Sequence, residues 1–262
     1  MTQRDNWGWL ARIGIFIVGH EVAPEAEWWA MAPPGVSVHA ARVTARAPWA
    51  TWREGRGGVE LSDDLARGGR QFGAMPLTAA TVGHSSSSLI GGEGWDAAVI
   101  AALSEILRPD TVATTNGLDS LAAFGALGVR RPYLVFPPWY DDGTVAAGVA
   151  YYRTHGLDPA GHLRFDPGRQ WRDLPVRELG RAGLPFEQEV EPLYRQVRAG
   201  CPAPADGVFI AGTGFRCVAV LDALERDLGR PVLSANQVSL WHCLRLSGVR
   251  AGVAGYGRLF DL

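Results

Sequence analysis

Two short segments of this 262-residue chain combine glycine with hydroxyl side chains in a way that suits anion chemistry, Gly83-His84-Ser85-Ser86-Ser87-Ser88 and Gly212-Thr213-Gly214. Each follows an apolar run, Leu77–Val82 and Gly207–Ala211, that reads as a strand. A strand-to-helix turn of this composition exposes backbone N–H groups at a helix N-terminus and attracts anions. The hydroxyls of Ser85, Ser86, Ser87 and Thr213 add donors at the same place. Gly83, Gly212 and Gly214 would let the backbone approach a ligand closely. Two such turns facing each other would grip a carboxylate, or a carboxylate becoming an enediolate. Taken singly, each serine is better explained as a helix cap, so the expectation rests on the pair of loops. Neither loop has the GxxxxGK(S/T) form of a nucleoside-triphosphate site, and Gly212-Thr213-Gly214 is too short for a dinucleotide fingerprint.

Titratable and aromatic residues flank these loops. His84 directly follows the first loop glycine, and an imidazole suits proton transfer near neutral pH. A histidine bonded to backbone at a strand end fits the same position equally well. His20 and Glu21 follow the apolar run Ile13–Val18, where a carboxylate would orient an imidazole or act as a base. An exposed loop pair is the alternative. Trp139 and Tyr140, after the strand ending at Pro137-Pro138, would wall a pocket or donate a phenolic proton, and core packing accounts for Trp139 equally well. His39, His155, His162 and His242 lie in strand or helix patterns without evident partners and read as structural.

The elements that must position these residues alternate along the chain. Strand patterns at Ile13–Val18, Val36–Val43, Leu77–Val82, Thr111–Thr114, Tyr133–Phe136, Gly207–Ala211 and Pro231–Leu233 alternate with helical spacing. The helical segments are a helix from Pro24, then Asp96–Leu107, Leu118–Leu127, Val145–His155, Glu189–Arg198, Phe215–Leu228 and Val238–Leu246. Leu163–Pro185, rich in Pro, Gly and Arg, reads as a long irregular connection. Such alternation predicts an α/β fold with parallel sheets. Val112-Ala-Thr-Thr-Asn116…Gly128-Val-Arg130 matches Val232-Leu-Ser-Ala-Asn236…Gly248-Val-Arg250 at a constant offset of 120. This predicts two similar Rossmann-like lobes related by a pseudo-twofold axis, with the site in the cleft between them. Residues 1–117 plus 230–262 would form the lobe carrying the Gly83 loop, and 118–229 the lobe carrying the Gly212 loop.

Composition narrows the partners. The hydrophobic share of 47%, with 20% charged residues, argues against disorder and collagen-like repetition. A net charge of −2, with no basic run longer than Arg130-Arg131, leaves no electrostatic footprint for nucleic acid or anionic membrane. Met1 to Trp9 lacks the basic start and apolar stretch of a signal peptide, and no apolar run reaches the ~20 residues of a membrane span. Cys201, Cys217 and Cys243 have no CxxC spacing, so neither a disulfide framework nor a structural metal site is expected, and a reduced, cytoplasmic setting follows. The oligomeric state stays open.

At the loops the sequence resembles arylmalonate decarboxylase and the maleate cis–trans isomerases, within the aspartate/glutamate racemase superfamily. Gly83-His-Ser85-Ser-Ser87-Ser-Leu-Ile-Gly91 matches the decarboxylase pattern GTSxSxxxG except at His84. Arg12-Ile-Gly14-Ile-Phe-Ile-Val18, Leu127-Gly-Val-Arg-Arg131, Glu225-Arg-Asp-Leu-Gly-Arg-Pro-Val-Leu-Ser234 and Gly255-Tyr-Gly-Arg-Leu-Phe-Asp261 extend the likeness over almost the whole chain. The resemblance implies a two-lobed fold and cofactor-free chemistry at the α-carbon of a carboxylic acid. Superfamily racemases and isomerases use two cysteines, one per lobe, and the decarboxylases keep the second. Here Gly83 and Gly212 fall at those positions. Cys217, inside the expected following helix, is not placed to substitute. The family tyrosine aligns with Trp139, with Tyr140 one residue away.

The resulting expectation is a cofactor-independent lyase or isomerase, decarboxylase-like, acting on a small carboxylic acid through an enolate held by both loops. His84 would carry the proton in place of cysteine, supported by Glu21 or Tyr140. Alternatives are a C–C or C–N bond-cleaving enzyme on the same scaffold, or a non-catalytic carboxylate-binding protein that lost its chemistry with its thiols.

Overall fold

The computed structural model describes residues 5–180 and 182–262. Met1 to Arg4, part of the segment compared with a signal peptide, and Arg181, within the expected irregular connection, lie outside the described residues.

The chain begins with β1 (Ala11–Val18), α1 (Ala23–Met31) and β2 (Val36–Val43). Pro24 stands in the first turn of α1, where its missing N–H costs nothing. A hairpin follows, β3 (Ala50–Trp52) and β4 (Val59–Leu61), then α2 (Asp63–Gly73), β5 (Ala79–Val82), α3 (Ser85–Ile90), α4 (Trp95–Ser104), β6 (Val112–Thr115) and α5 (Asn116–Leu127). The second half comprises β7 (Pro132–Phe136), α6 (Asp142–Thr154), β8 (Gly161–Arg164), α7 (Arg169–Arg172), α8 (Leu184–Glu187), α9 (Val190–Gly200), β9 (Gly207–Ile210), α10 (Leu221–Leu228), β10 (Val232–Ser234) and α11 (Ala235–Leu246).

Two parallel sheets result, ordered β2-β1-β5-β6 and β10-β9-β7-β8. Numbered within each half, both run second-first-third-fourth, as a duplicated unit requires. The fold is therefore α/β with two lobes. Helices on the sheets bury β1 and β5 along nearly their whole length, the pattern of parallel strands covered on both faces. Two helices cross over. Phe124 of α5 meets Phe209 of β9 and Tyr152 of α6 edge-on, at 5.5 and 5.6 Å between ring centres. Conversely, α11 packs against α1, β5 and α5. Each lobe thus carries the helix that follows the other lobe's last strand, and the two are bolted together.

Several expectations need correction. The boundary at residue 230 is displaced, because Val232–Ser234 pairs with Val208–Ile210 in the second sheet. Leu163–Pro185 is not wholly irregular: it carries the end of β8, a turn of helix at α7 and a 3-10 turn at Val176–Glu178, and α8 begins at its end. Composition hid these because each is only three or four residues long. Phe215–Leu228 is not one helix, since a 3-10 turn at Val218–Val220 precedes α10 and Cys217 caps that turn. The hairpin and α2 went unanticipated. In α2 the glycines that weaken the helical signal are required by packing. A Cβ on Gly68 would stand 2.9 Å from Ala41 Cβ and 3.0 Å from Phe16 Cε1. Among the described residues no helix is long and apolar enough to cross a membrane.

Candidate active site

The carboxyl ends of β5 and β9 bring the two glycine loops into direct contact. Thr213 donates its hydroxyl to the Gly83 carbonyl at 2.9 Å, and the Gly212 N–H donates to Ser85 Oγ at 3.2 Å. Beside this seam lies a cavity of about 240 Å³, lined by residues that include His20, Glu21, His84, Ser85, Ser86, Trp139, Tyr140 and Gly212-Thr213-Gly214. Val176, Gly180 and Pro185 close it from the segment between β8 and α9. That segment has a small core of its own, Trp171, Leu179 and Leu184, against which Trp139 packs.

Glu21 is the unusual group. It comes from lobe 1, just past β1, and its carboxyl occupies the space above Gly214 where a Cβ would otherwise stand. Burial raises its pKa from an ordinary 4.5 to about 7. Oε2 is buried and has no hydrogen-bond partner among the described residues. A buried carboxyl with a free oxygen, titrating near neutrality in a cleft, is equipped to give and take a proton.

His84 is held differently. Its ring stacks on Trp49 at 4.1 Å and 14°, and Nδ1 lies 2.8 Å from Ser87 Oγ. Ser87 already accepts the Trp49 N–H at 3.0 Å. Its own proton is best satisfied on Nδ1, which places the single proton of a neutral ring on Nε2. Burial pushes the imidazole down to about 3, so the ring is neutral at physiological pH. A lowered value of this size weighs against the expected role of proton carrier. A neutral imidazole with that acid constant is a weak base and has no imidazolium proton to give, but its N–H remains a hydrogen-bond donor.

Ser86 donates to Tyr140 Oη at 3.0 Å. Burial raises the Tyr140 phenol well above its ordinary value; Ser86 and Ser85 oppose this and the nearby Glu21 adds to it, so the phenol keeps its proton. Ser85 is committed elsewhere: besides accepting from Gly212 it donates to Asn116 Oδ1 at 2.5 Å. Its hydroxyl and the Gly212 N–H therefore serve the joint between loops and are not open donors for a ligand, as had been expected. Gly83 and Ser87 stand behind the cavity wall, one giving its carbonyl to Thr213 and the other orienting His84. His20 is exposed at the mouth.

The remaining histidines have partners after all. His39 meets Ser37 Oγ at 2.9 Å, His155 the Tyr151 carbonyl at 2.8 Å, and His242 Asp119 Oδ1 at 2.7 Å. His162 lies edge-on to the Phe136 ring.

Sequence reasoning missed Trp49, because an unanticipated hairpin delivers it to His84. It missed Glu27 of α1, which reaches into lobe 2. Glu27 Oε1 accepts the N–H groups of Cys217 and Val218, and Oε2 accepts from Asn236, which also holds the Thr213 carbonyl. Asn116 and Asn236 were visible as repeat markers, and each turns out to brace the glycine loop of one lobe. Cys217 is buried, and burial with the adjacent Glu27 lifts its thiol well above the ordinary range, which makes it unreactive.

The positions aligned with the family thiols are closed to side chains. A Cβ on Gly83 would stand 2.9 Å from the Phe16 carbonyl oxygen and 2.8 Å from Ile15 Cγ1. Gly212 has φ +90, and a Cβ there would meet Pro137 Cγ at 2.8 Å.

Two lobes of like topology with a polar cleft at their joined loops define a class of α/β enzymes, and comparison with known proteins agrees. Residues 171–260 match the family model described as arylmalonate decarboxylase. The arylmalonate decarboxylase of Bordetella bronchiseptica is 31% identical over 183 residues, 68% of either chain. A solved structure of arylmalonate decarboxylase with a sulfate ion superposes with a TM-score of 0.72 at 24% identity, covering 96% of this chain and 100% of the other. The maleate isomerase of Pseudomonas putida S16, solved with maleate, superposes with a TM-score of 0.78 at 17% identity over 96% and 97%. The chain belongs to the arylmalonate decarboxylase family and is an enzyme of the decarboxylase or isomerase type.

Proposed function

We propose that this protein is a cofactor-independent lyase or isomerase, decarboxylase-like, acting at the α-carbon of a small carboxylic acid, with Glu21 as its proton carrier. The observation that carries this reading is the Glu21 carboxyl, buried in the cleft with an acid constant near 7 and one oxygen unbonded.

In the decarboxylation the bond between the α-carbon and one carboxylate breaks, carbon dioxide leaves, and the electron pair passes into an enediolate on the remaining carboxylate. The developing oxyanion is met by donors that are not already spent: the neutral His84 Nε2–H, the Tyr140 hydroxyl, which accepts from Ser86 and keeps its own proton, and the N–H groups of Thr213 and Gly214. Such donors act strongly because they are already oriented towards the developing charge. Glu21, protonated, delivers its proton to the α-carbon and recovers one from solvent. Run with a C–H bond in place of the C–CO2 bond, the same groups abstract and return a proton at the α-carbon, which racemises that centre. Trp139 and Tyr140 wall the pocket.

An arylmalonate such as phenylmalonate, and a single enantiomer of a 2-arylpropanoate, are the first acids to offer. Carbon dioxide release in D2O with deuterium incorporated at the α-carbon supports the lyase; racemisation of a chiral 2-arylpropanoate with α-deuterium exchange and no carbon dioxide supports the isomerase. If the acids bind but neither turnover nor α-deuterium exchange occurs, the chain is a carboxylate-binding protein and this reading fails.

A further inference from the structure

A chain of buried hydrogen bonds leaves the cleft and runs through the crossed helices to the far side of the lobe joint. Gly212 N–H donates to Ser85 Oγ (3.2 Å), Ser85 to Asn116 Oδ1 (2.5 Å), Asn116 Nδ2 to Ser239 Oγ (2.8 Å) and Ser239 to Asp119 Oδ2 (2.6 Å). Asp119 is fully buried and also accepts from Thr81, Thr114 and His242 Nδ1. The members come from both lobes: Ser85 and Thr81 from the first, Gly212 from the second, Asn116, Asp119 and Ser239 from the exchanged helices.

The direction of every link is forced. As a carboxylate Asp119 only accepts, so Ser239 must donate to it, which leaves Ser239 an acceptor towards Asn116. The Ala235 carbonyl, also only an acceptor, takes the second Asn116 Nδ2 proton at 2.9 Å. Two fixed acceptors on α11 thus oblige Asn116 to turn its amide nitrogen away from the cleft and its oxygen towards Ser85. Ser85 must then donate to Asn116, and its oxygen is left to receive the Gly212 N–H.

We propose that Asn116, anchored by Ser239 and Asp119, is a positioning residue that fixes the polarity of this chain and thereby locks Gly212, at its positive φ, against the first loop. The lock keeps the Thr213 and Gly214 N–H groups and Glu21 in register with His84. In that last respect it rests on the reading of these loops as the site.

The test uses the full chain and two substitutions outside the cavity, Ser239→Ala and Ser239→Thr, followed by amide exchange in NMR. Ser239→Ala should speed exchange of the Gly212 N–H at least tenfold while the neighbouring Ala211 N–H, bonded to Val135 in the sheet, keeps its wild-type rate. Ser239→Thr, which retains the hydroxyl, should restore Gly212. On any acid that the wild type turns over, kcat should fall about tenfold in Ser239→Ala at unchanged KM and recover in Ser239→Thr. An unaltered Gly212 rate in Ser239→Ala, or equal acceleration of Gly212 and Ala211 in both variants, overturns the lock. If Ser239→Ala does not fold, the wild type decides: slowly exchanging Asn116 side-chain protons close to Ala235 and Ser239 support the chain, and fast exchange refutes it. The amide signature without any turnover by the wild type upholds the lock and counts against the proposed reaction.

Discussion

The carboxyl group of Glu21 lies where a side chain at Gly214 would have to stand. One residue from each lobe therefore defines the centre of the cleft, and neither position tolerates change independently. Gly214→Ala should displace the carboxyl and lower kcat by an amount comparable to removing Glu21, while leaving the melting temperature within a few degrees of wild type. Turnover of the active acid, measured alongside thermal unfolding, checks this; an active Gly214→Ala enzyme would mean that Glu21 need not sit there.

Glu21→Gln keeps the size of the side chain and removes the proton. The loss expected for a positioned acid or base is ~10²–10⁴ in kcat. In D2O the residual turnover should no longer depend on pH near 7. Retention of more than a tenth of wild-type activity would hand the proton to another group.

The acid constant of Glu21 also predicts a pH dependence. If the protonated carboxyl delivers the proton, kcat should level off below pH 6 and fall tenfold per pH unit well above the value of about 7. Stability carries the same signature. The native carboxyl holds its proton up to about 7 whereas the unfolded chain loses it near the ordinary 4.5, so native protein binds more protons across that window. Stability then declines as pH rises from about 4.5 to 7, by an amount on the order of 3 kcal/mol at most. Glu21→Gln should remove this decline, and the difference between the two proteins in denaturant unfolding should be larger at pH 8 than at pH 5.

His84 should behave as a donor and not as a titrating base. His84→Ala is expected to lower kcat ~10²–10³-fold, the usual effect of deleting one oxyanion donor. His84→Gln, with an amide N–H at similar reach, should recover part of it. The limb near 7 set by Glu21 should persist unchanged in His84→Gln, because the imidazole titrates near 3 and does not contribute to it. A limb there that disappears in His84→Gln would restore the histidine to acid–base duty.

Putting cysteine back at the aligned positions should not produce a thiol enzyme. Gly83→Cys presses on the Phe16 carbonyl, and Gly212→Cys must adopt φ +90 beside Pro137. A left-handed conformation alone costs about 1–2 kcal/mol. Both variants should unfold at lower temperature and show no gain in rate, and a fully stable, thiol-dependent variant would contradict the packing described here.

The amino-acid sequence determined the lobes and much of the cleft lining. Parallel strands betray themselves as short apolar runs, and the repeat at offset 120 fixed the duplication because both copies must build the same βα turn. The two glycine loops were legible for the same local reason: hydroxyls and glycines directly after a strand. What the tertiary structure decided was how each polar group is spent. Ser85 and the Gly212 N–H have the composition of ligand donors, yet contact between lobes pairs them with each other. His84 is of the type that carries protons, yet burial beside Trp49, delivered by an unforeseen hairpin, lowers its pKa. Glu21 is an ordinary loop carboxylate in sequence, and only the approach of Gly214 from the other lobe buries it and moves its acid constant to neutrality. Residue type and local pattern are set along the chain, but burial and hydrogen-bond partners depend on groups distant in sequence, from Trp49 beside His84 to Gly214 beside Glu21, and those are what assign the chemistry.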